Sequence, residues 1–267
     1  MSMVLRILEP ALADILRAAG LVSCEDYLRS SRGEVIHESN TTCTRRFDLP
    51  SPGGTIACYL KVYQYRDKPL TLRLGRSKPL REARNYLTLR RKCRIDVPDV
   101  IAIGARRRLG LLEDGFILTR EVPAACPLDV YVDRRWPSNK ENLTVHSRRR
   151  LLETVADLVA RMHAAHFFHI DLQWRNLIVS DDERDQPLVF VLDCVRGGRR
   201  IHPLMRAHGR LRDLSSLYKD ARVRLSHTEQ MRWLRRYLGT RKLSEVYRAM
   251  IRTIVQDREL KDSEAPA

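Results

Sequence analysis

The stretch His169-Ile170-Asp171-Leu172-Gln173-Trp174-Arg175-Asn176-Leu177-Ile178-Val179 constrains this chain more than any other, together with the run Pro187-Leu188-Val189-Phe190-Val191-Leu192 that ends on Asp193. It sets a carboxylate and a carboxamide five positions apart on one loop, then returns a second carboxylate at the end of a strand-like apolar run. An Asp that takes a hydroxyl proton, an Asn that ligates a divalent cation and a later Asp on the same cation are the parts that phosphoryl transfer needs.

The spacing follows the protein-kinase catalytic loop H-R-D-L-x-x-x-N, with Ile170 where that pattern has Arg. Four fixed residues at set spacing would arise by accident in a chain this long about once in several hundred sequences. The strand-like run ending in Asp193 is the context such a loop requires.

A second group of residues lies upstream. Lys61 sits in Thr55-Ile56-Ala57-Cys58-Tyr59-Leu60-Lys61-Val62-Tyr63, a strand of good β-formers. A lone strand Lys is ordinarily solvated, but an ammonium in so apolar a setting calls for an anionic partner. The kinase arrangement provides one in nucleotide phosphates and a helix Glu. Glu82 stands in the first turn of a helix whose apolar face is read as Leu80, Ala83, Tyr86, Leu87 and Leu89. Pairing of Glu82 with a neighbouring Arg on the helix surface is the alternative.

Net charge is +16, with 49 basic residues, mostly Arg, against 33 acidic ones. Arg grips planar oxyanions bidentately, so an anionic partner is expected: nucleic acid, an acidic membrane surface or a phosphorylated glycan. Arginine dispersed over a solvated surface is the plainer reading of the same number. Six cysteines without a C-x-x-C pairing argue against a disulfide framework or zinc ribbon and for a reducing compartment. Arg6, Glu9, Asp14 and Arg17 interrupt the first 21 residues, which therefore read as neither signal peptide nor membrane span.

In chain order, residues 9–19 carry helical spacing, with Gly20 placed to stop the helix, and Cys24–Arg29 reads as a second short helix. Val35–Glu38 and Thr42–Leu49 read as strands around Ser39-Asn40-Thr41, and Pro50–Gly54 as a turn. Beyond Pro98, Val100–Ala105 and Gly115–Val122 read as a hairpin around Arg106-Arg107-Arg108, breaking at Pro123 where a hinge would lie. Adenine would bond the backbone near Glu121 and Val122.

A helical stripe of Leu151, Leu152, Val155, Leu158, Val159 and Met162 leads into the loop. His163, His166 and His169 lack a Cys or acidic partner for zinc and are read as structural. Residues 181–186 read as a solvated turn rather than a calcium loop. Arg196, Arg199, Arg200, Arg206, Arg210 and Arg212 make the densest basic segment, and helical material is expected from Asp213. Ser226-His227-Thr228-Glu229 is a capping box, and fraying is expected from about Lys261.

With these residues in place the chain resembles the bacterial lipopolysaccharide kinase (Kdo/WaaP, InaA-like) family. The likeness runs through Gly33-Glu34-Val35, Tyr59–Tyr63, Arg81-Glu82-Ala83, Met162–Leu172, Leu192-Asp193-Cys194-Val195-Arg196 and Arg212-Asp213-Leu214. It implies an α+β, bilobal protein-kinase-like fold: an N-terminal lobe over 1–122, a helical lobe over 123–262 and a disordered tail at 263–267. It implies Asp171 as base, Lys61 and Glu82 as the ATP-anchoring pair, Asn176 and Asp193 as Mg2+ ligands, and Asp213 as a brace of the catalytic loop.

A Gly-rich phosphate loop is absent, so Asn40, Thr41 and Thr42 are expected to cover the phosphates with hydroxyls and amides. Only 20 positions separate Asp193 from Asp213, too few for a long regulated activation loop, which suits a non-peptide acceptor. The resulting expectation is a cytoplasmic ATP-dependent kinase, peripheral on the inner membrane. It would phosphorylate heptose or Kdo of an anionic glycolipid core, with Arg196, Arg199 and Arg200 on the acceptor's anions. Nucleic acid is not expected as a partner, and nothing in the sequence speaks to oligomeric state. The rivals are an aminoglycoside-type kinase, a protein kinase and a silent pseudokinase binding anionic lipid or nucleic acid. A polycationic aminoglycoside would select an acidic pocket, the opposite of this charge.

Overall fold

The computed structural model describes residues 2–136, 145–181 and 186–263. The chain divides into two compact units, Met1–Leu87 with Pro98–Val122, and Thr88–Val97 with Pro123–Ala267. A single boundary after residue 122 does not separate Thr88–Val97, which groups with the second unit.

The first unit carries strands β1 (Ser2–Ile7), β2 (Glu34–Ser39), β3 (Thr42–Ser51), β4 (Gly54–Gln64), β5 (Val100–Arg108) and β6 (Leu111–Arg120). They form one sheet in the order β1-β5-β6-β4-β3-β2, each neighbouring pair antiparallel. Its helices are α1 (Ala13–Ala18), α2 (Cys24–Leu28), α3 (Leu70–Leu74) and α4 (Lys78–Thr88). Strand β1 is an addition to the sequence reading. Met3 and Val4 stay exposed on this edge strand, so no alternation marks it, and it is defined by its ladder to β5. The helix expected over 9–19 is a 3-10 turn, Pro10–Leu12, followed by α1, which ends before Gly20 at φ +68°.

Alternation along β4 decides where Lys61 goes. Cys58 and Leu60 are fully buried in a core with Leu16, Tyr27, Leu49, Ile101 and Phe116, so Tyr59, Lys61 and Tyr63 belong to the other face. Tyr27 stacks on Phe116 with ring centroids 4.3 Å apart. Gly104 is required beside that ring, because a Cβ there would lie 2.2 Å from a Phe116 ring carbon.

Helix α4 buries Pro79, Glu82, Ala83 and Tyr86, a stripe at i, i+3, i+4 and i+7. Leu87, expected on the apolar face, is exposed, because the helix turns Glu82 inward instead. A π-helical turn, Leu89–Cys93, follows and closes on Arg94 in the left-handed region.

The second unit holds strands β7 (Cys126–Pro127), β8 (Phe167–Phe168), β9 (Leu177–Asp181), β10 (Pro187–Val191) and β11 (Gly198–Arg199). Its helices are α5 (Leu128–Arg135), α6 (Val145–Ala164), α7 (Pro203–Arg224), α8 (His227–Leu238) and α9 (Glu245–Ser263). The stripe read from Leu151 to Met162 is buried along α6. Helix α7 starts at Pro203 rather than near Asp213, and α8 opens with the Ser226–Glu229 capping box read from sequence. Helix α9 continues through Ser263, past the fraying expected at Lys261. The turn at 182–185 and the tail at 264–267 lie outside the described residues. No helix among the described residues is long and apolar enough to cross a membrane.

Candidate active site

Residues 169–176 form a loop fastened from three sides. Asp213 on α7, fully buried, accepts the backbone N–H of His169 at 2.9 Å and of Ile170 at 2.6 Å. These bonds hold Ile170 at φ +72°, a conformation that a β-branched residue adopts only under constraint. The same carboxylate lies 3.1 Å from His163 Nε2, and His163 Nδ1 is 2.8 Å from the Tyr237 hydroxyl. The loop is thereby joined through α6 to α8. His169 Nε2 lies 2.8 Å from the Leu192 carbonyl, which makes Nε2 the protonated nitrogen and leaves the buried Nδ1 as an orphan acceptor. Trp174 donates its indole N–H to the Leu217 carbonyl at 3.1 Å.

Within this frame the Asp171 carboxylate is half-buried and receives the Gln173 amide on one oxygen at 2.6 Å. Gln173 is a positioning contact that the sequence reading passed over; its place two residues after Asp171 was the available signal. Asn176, buried at the other end of the loop, donates Nδ2–H to the Asp171 carbonyl at 2.8 Å. That bond fixes the amide's orientation and turns Oδ1 outward as an acceptor.

Strands β9 and β10 pair antiparallel, with Val191 opposite Leu177, and the Leu192 N–H bonds the Asn176 carbonyl at 2.8 Å. Asn176 and Asp193 therefore leave the same end of one hairpin. Asp193 itself takes φ +49°. An amide oxygen and a carboxylate are an all-oxygen donor pair, which fits a magnesium ion that completes its shell with phosphate oxygens and water.

In the first unit, Glu82 is 3% exposed and accepts the Tyr63 hydroxyl at 2.7 Å and the Tyr86 hydroxyl at 3.0 Å. Lys61 Nζ lies 5.3 Å from the centre of the Tyr63 ring. Tyr63 therefore touches both members of the expected pair, a role its place two residues after Lys61 on the same strand face could have signalled. Asn40 and Thr41 are the two-residue turn between β2 and β3, with Thr42 opening β3; the Thr41 carbonyl accepts the Gln64 N–H at 2.9 Å. The Glu121 N–H is committed to the Ala57 carbonyl at 2.8 Å, and its carboxylate to Arg46 Nε at 2.8 Å. Among the described residues, the Glu121 carbonyl and the Val122 backbone groups enter no other backbone hydrogen bond outside the regular elements.

Of the three arginines read as acceptor contacts, Arg196 and Arg199 are exposed and Arg200 is half-buried. Arg199 pairs with Phe167 in the β11–β8 ladder, and the Arg200 N–H bonds the His166 carbonyl at 2.8 Å. All three stand in the same unit as Asp171. A separate apolar cavity of about 130 Å³, walled by Leu152, Val155, Leu214, Leu234 and Ile254, reaches Trp174 but includes none of the site carboxylates.

The lipopolysaccharide kinase (Kdo/WaaP) family model matches residues 28–237. No curated protein sequence matches. Among solved structures, one described as WaaP in complex with acyl carrier protein superposes with a TM-score of 0.67. It is 22% identical, over 97% of this chain and 98% of that one. At that identity the likeness establishes the fold, and the α+β, two-unit protein-kinase-like architecture expected from sequence is the one adopted.

Proposed function

Because this chain belongs to the lipopolysaccharide kinase (Kdo/WaaP) family, we propose that it transfers the γ-phosphate of ATP to a heptose or Kdo hydroxyl of the lipopolysaccharide inner core. Members of the family are phosphotransferases acting on an alcohol group, and so is this chain. What carries the finer reading is the fastening of one loop. Asn176 and Asp193 stand at the same end of the β9–β10 hairpin, Asn176 is bonded to the Asp171 carbonyl, and Asp213, Leu192 and Gln173 hold the surrounding backbone and side chains.

In this reading Asp171 orients the acceptor hydroxyl and takes its proton as the oxygen attacks phosphorus. Gln173 fixes one carboxylate oxygen and leaves the other toward the acceptor. Asn176 and Asp193 would hold magnesium, which with the triphosphate supplies a charge-neutralised phosphoryl donor. Lys61 anchors the phosphates, and Glu82 orients Lys61. The amides and hydroxyls of Asn40, Thr41 and Thr42 cover the phosphates, and the backbone of Glu121 and Val122 takes the adenine. Arg196, Arg199 and Arg200 bind anions already on the acceptor. The work is done at the cytosolic face of the inner membrane, where a lipid-anchored core is presented.

Mass spectrometry of core oligosaccharide from cells lacking the protein tests this directly. The expected result is the loss of one phosphate, restored by the wild-type chain and not by Asp171→Asn. An unchanged phosphate pattern overturns the reading.

A further inference from the structure

Between Asp193 and Asp213 the chain runs for 19 residues, Cys194 to Arg212, with six arginines, two histidines and no carboxylate. Among the described residues none of these six guanidiniums enters an ion pair, although arginines elsewhere do so repeatedly, as in Arg148–Glu229 and Arg224–Asp133. At the middle of the segment three apolar side chains face solvent: Ile201 is 85% exposed, Leu204 74% and Met205 49%. Exposed aliphatic side chains in a segment whose cations form no ion pair among the described residues and which holds no carboxylate match the chemistry of an anionic bilayer surface. There headgroups attract the charge and the acyl boundary takes the apolar tips.

We propose that the turn from Ile201 to Arg206, at the start of α7, is the element that seats this protein on anionic phospholipid. The inference rests on the proposed use of a lipid-anchored acceptor and names the surface that brings the enzyme to it. This turn is not a loose loop. Arg206 Nε bonds the Arg200 carbonyl at 3.1 Å, Arg200 bonds His166, and β11 pairs with β8 one residue ahead of the catalytic loop. Gly209, one turn further along α7, lies so close to Phe168 that a Cβ would come within 2.5 Å of the ring. One turn beyond that, Asp213 holds the loop backbone. Leu204 and Asp213 are nine residues apart on one helix, roughly 14 Å along its axis. A bilayer touching Leu204 is therefore at a fixed height from Asp171, within reach of sugars close to their lipid anchor.

Partition of the full chain onto vesicles tests the proposal, comparing phosphatidylglycerol-containing with pure phosphatidylcholine vesicles. Wild type is expected on the anionic vesicles, with binding that falls as salt rises. Ile201→Ser with Leu204→Ser is expected to weaken that partition by about ten-fold or more. Leu109→Ser, which removes an equally exposed leucine on the first unit, is the control. The double variant should also lose rate on vesicle-embedded acceptor while keeping it on the delipidated oligosaccharide. Unchanged partition of the double variant, an equal loss in the control, or binding of an acidic protein in place of vesicles each overturns the docking assignment. A wild-type chain that binds vesicles but phosphorylates neither acceptor overturns the proposed acceptor and leaves the docking surface standing.

Discussion

Ile170 donates its backbone N–H to the Asp213 carboxylate at 2.6 Å while holding φ +72°. Strain of this kind costs about 1–3 kcal/mol and persists only where neighbouring contacts impose it. The Asp213 carboxylate, with its bonds to two loop amides and its contact with His163, is what imposes it. Asp213→Ala leaves those amides buried without an acceptor. The expected cost is about 3–5 kcal/mol in denaturant unfolding, and turnover should fall with it because the loop backbone is released. A variant within about 1 kcal/mol of wild type with full turnover would show that the loop holds itself.

Asp171 and Gln173 separate chemistry from positioning. Asp171→Asn keeps the shape and removes the base, so phosphate transfer should drop by about 10²-fold or more with the melting temperature unchanged. Gln173→Ala removes a single amide contact to one Asp171 oxygen, and a smaller loss is expected, on kcat rather than on KM for the nucleotide. Steady-state kinetics of both variants decide the matter. A Gln173→Ala enzyme as inactive as Asp171→Asn would move Gln173 into the chemistry itself.

Gly209 makes a prediction whose sign is opposite to propensity. In an open helix position Gly→Ala stabilises by about 1 kcal/mol. On α7 the added Cβ would stand 2.5 Å from Cγ and 2.9 Å from Cβ of Phe168, a side chain with 1% exposure and no room to retreat. Gly209→Ala is therefore expected to destabilise by about 1–3 kcal/mol, read by thermal unfolding. A gain in melting temperature would mean that α7 and β8 are not in such close contact.

What the sequence made legible follows from which forces are local. The loop from His169 to Asn176 and the strand run into Asp193 are marked by residue types in fixed spacing, whereas the β9–β10 pairing that sets Asn176 and Asp193 at one hairpin end appears only in the assembled structure. The stripe on α6 and the capping box at Ser226 are likewise written in short periods. Strand β1 was not legible, because an exposed edge strand acquires its identity from β5, about a hundred residues away in sequence. The first half of α7 was hidden by Pro203, Gly209 and its arginines, which break an apolar period. Its helix is fixed instead by the close approach of Gly209 to Phe168. The two tyrosine hydroxyls that Glu82 accepts could not be read in advance, because they meet it only once the sheet and α4 are assembled.

Acid should weaken the capping box at the start of α8. Burial alone would raise the Glu229 carboxyl. Its bonds from the Ser226 N–H at 2.9 Å, Arg148 Nε at 2.6 Å and the Ser226 hydroxyl at 2.8 Å outweigh burial and hold it below its ordinary value of 4.5. A carboxyl lowered on folding adds stability that is fully present above 4.5 and is lost as pH falls through the lowered folded value. Glu229→Gln should thus be less stable than wild type at pH 7 by about 1 kcal/mol, the scale of a helix cap. The gap should narrow only as pH drops below 4.5. Melting temperatures of both proteins from pH 7 downward measure it. A gap that stays constant through the acid range would mean that the Arg148 and Ser226 bonds do not favour the ionised form.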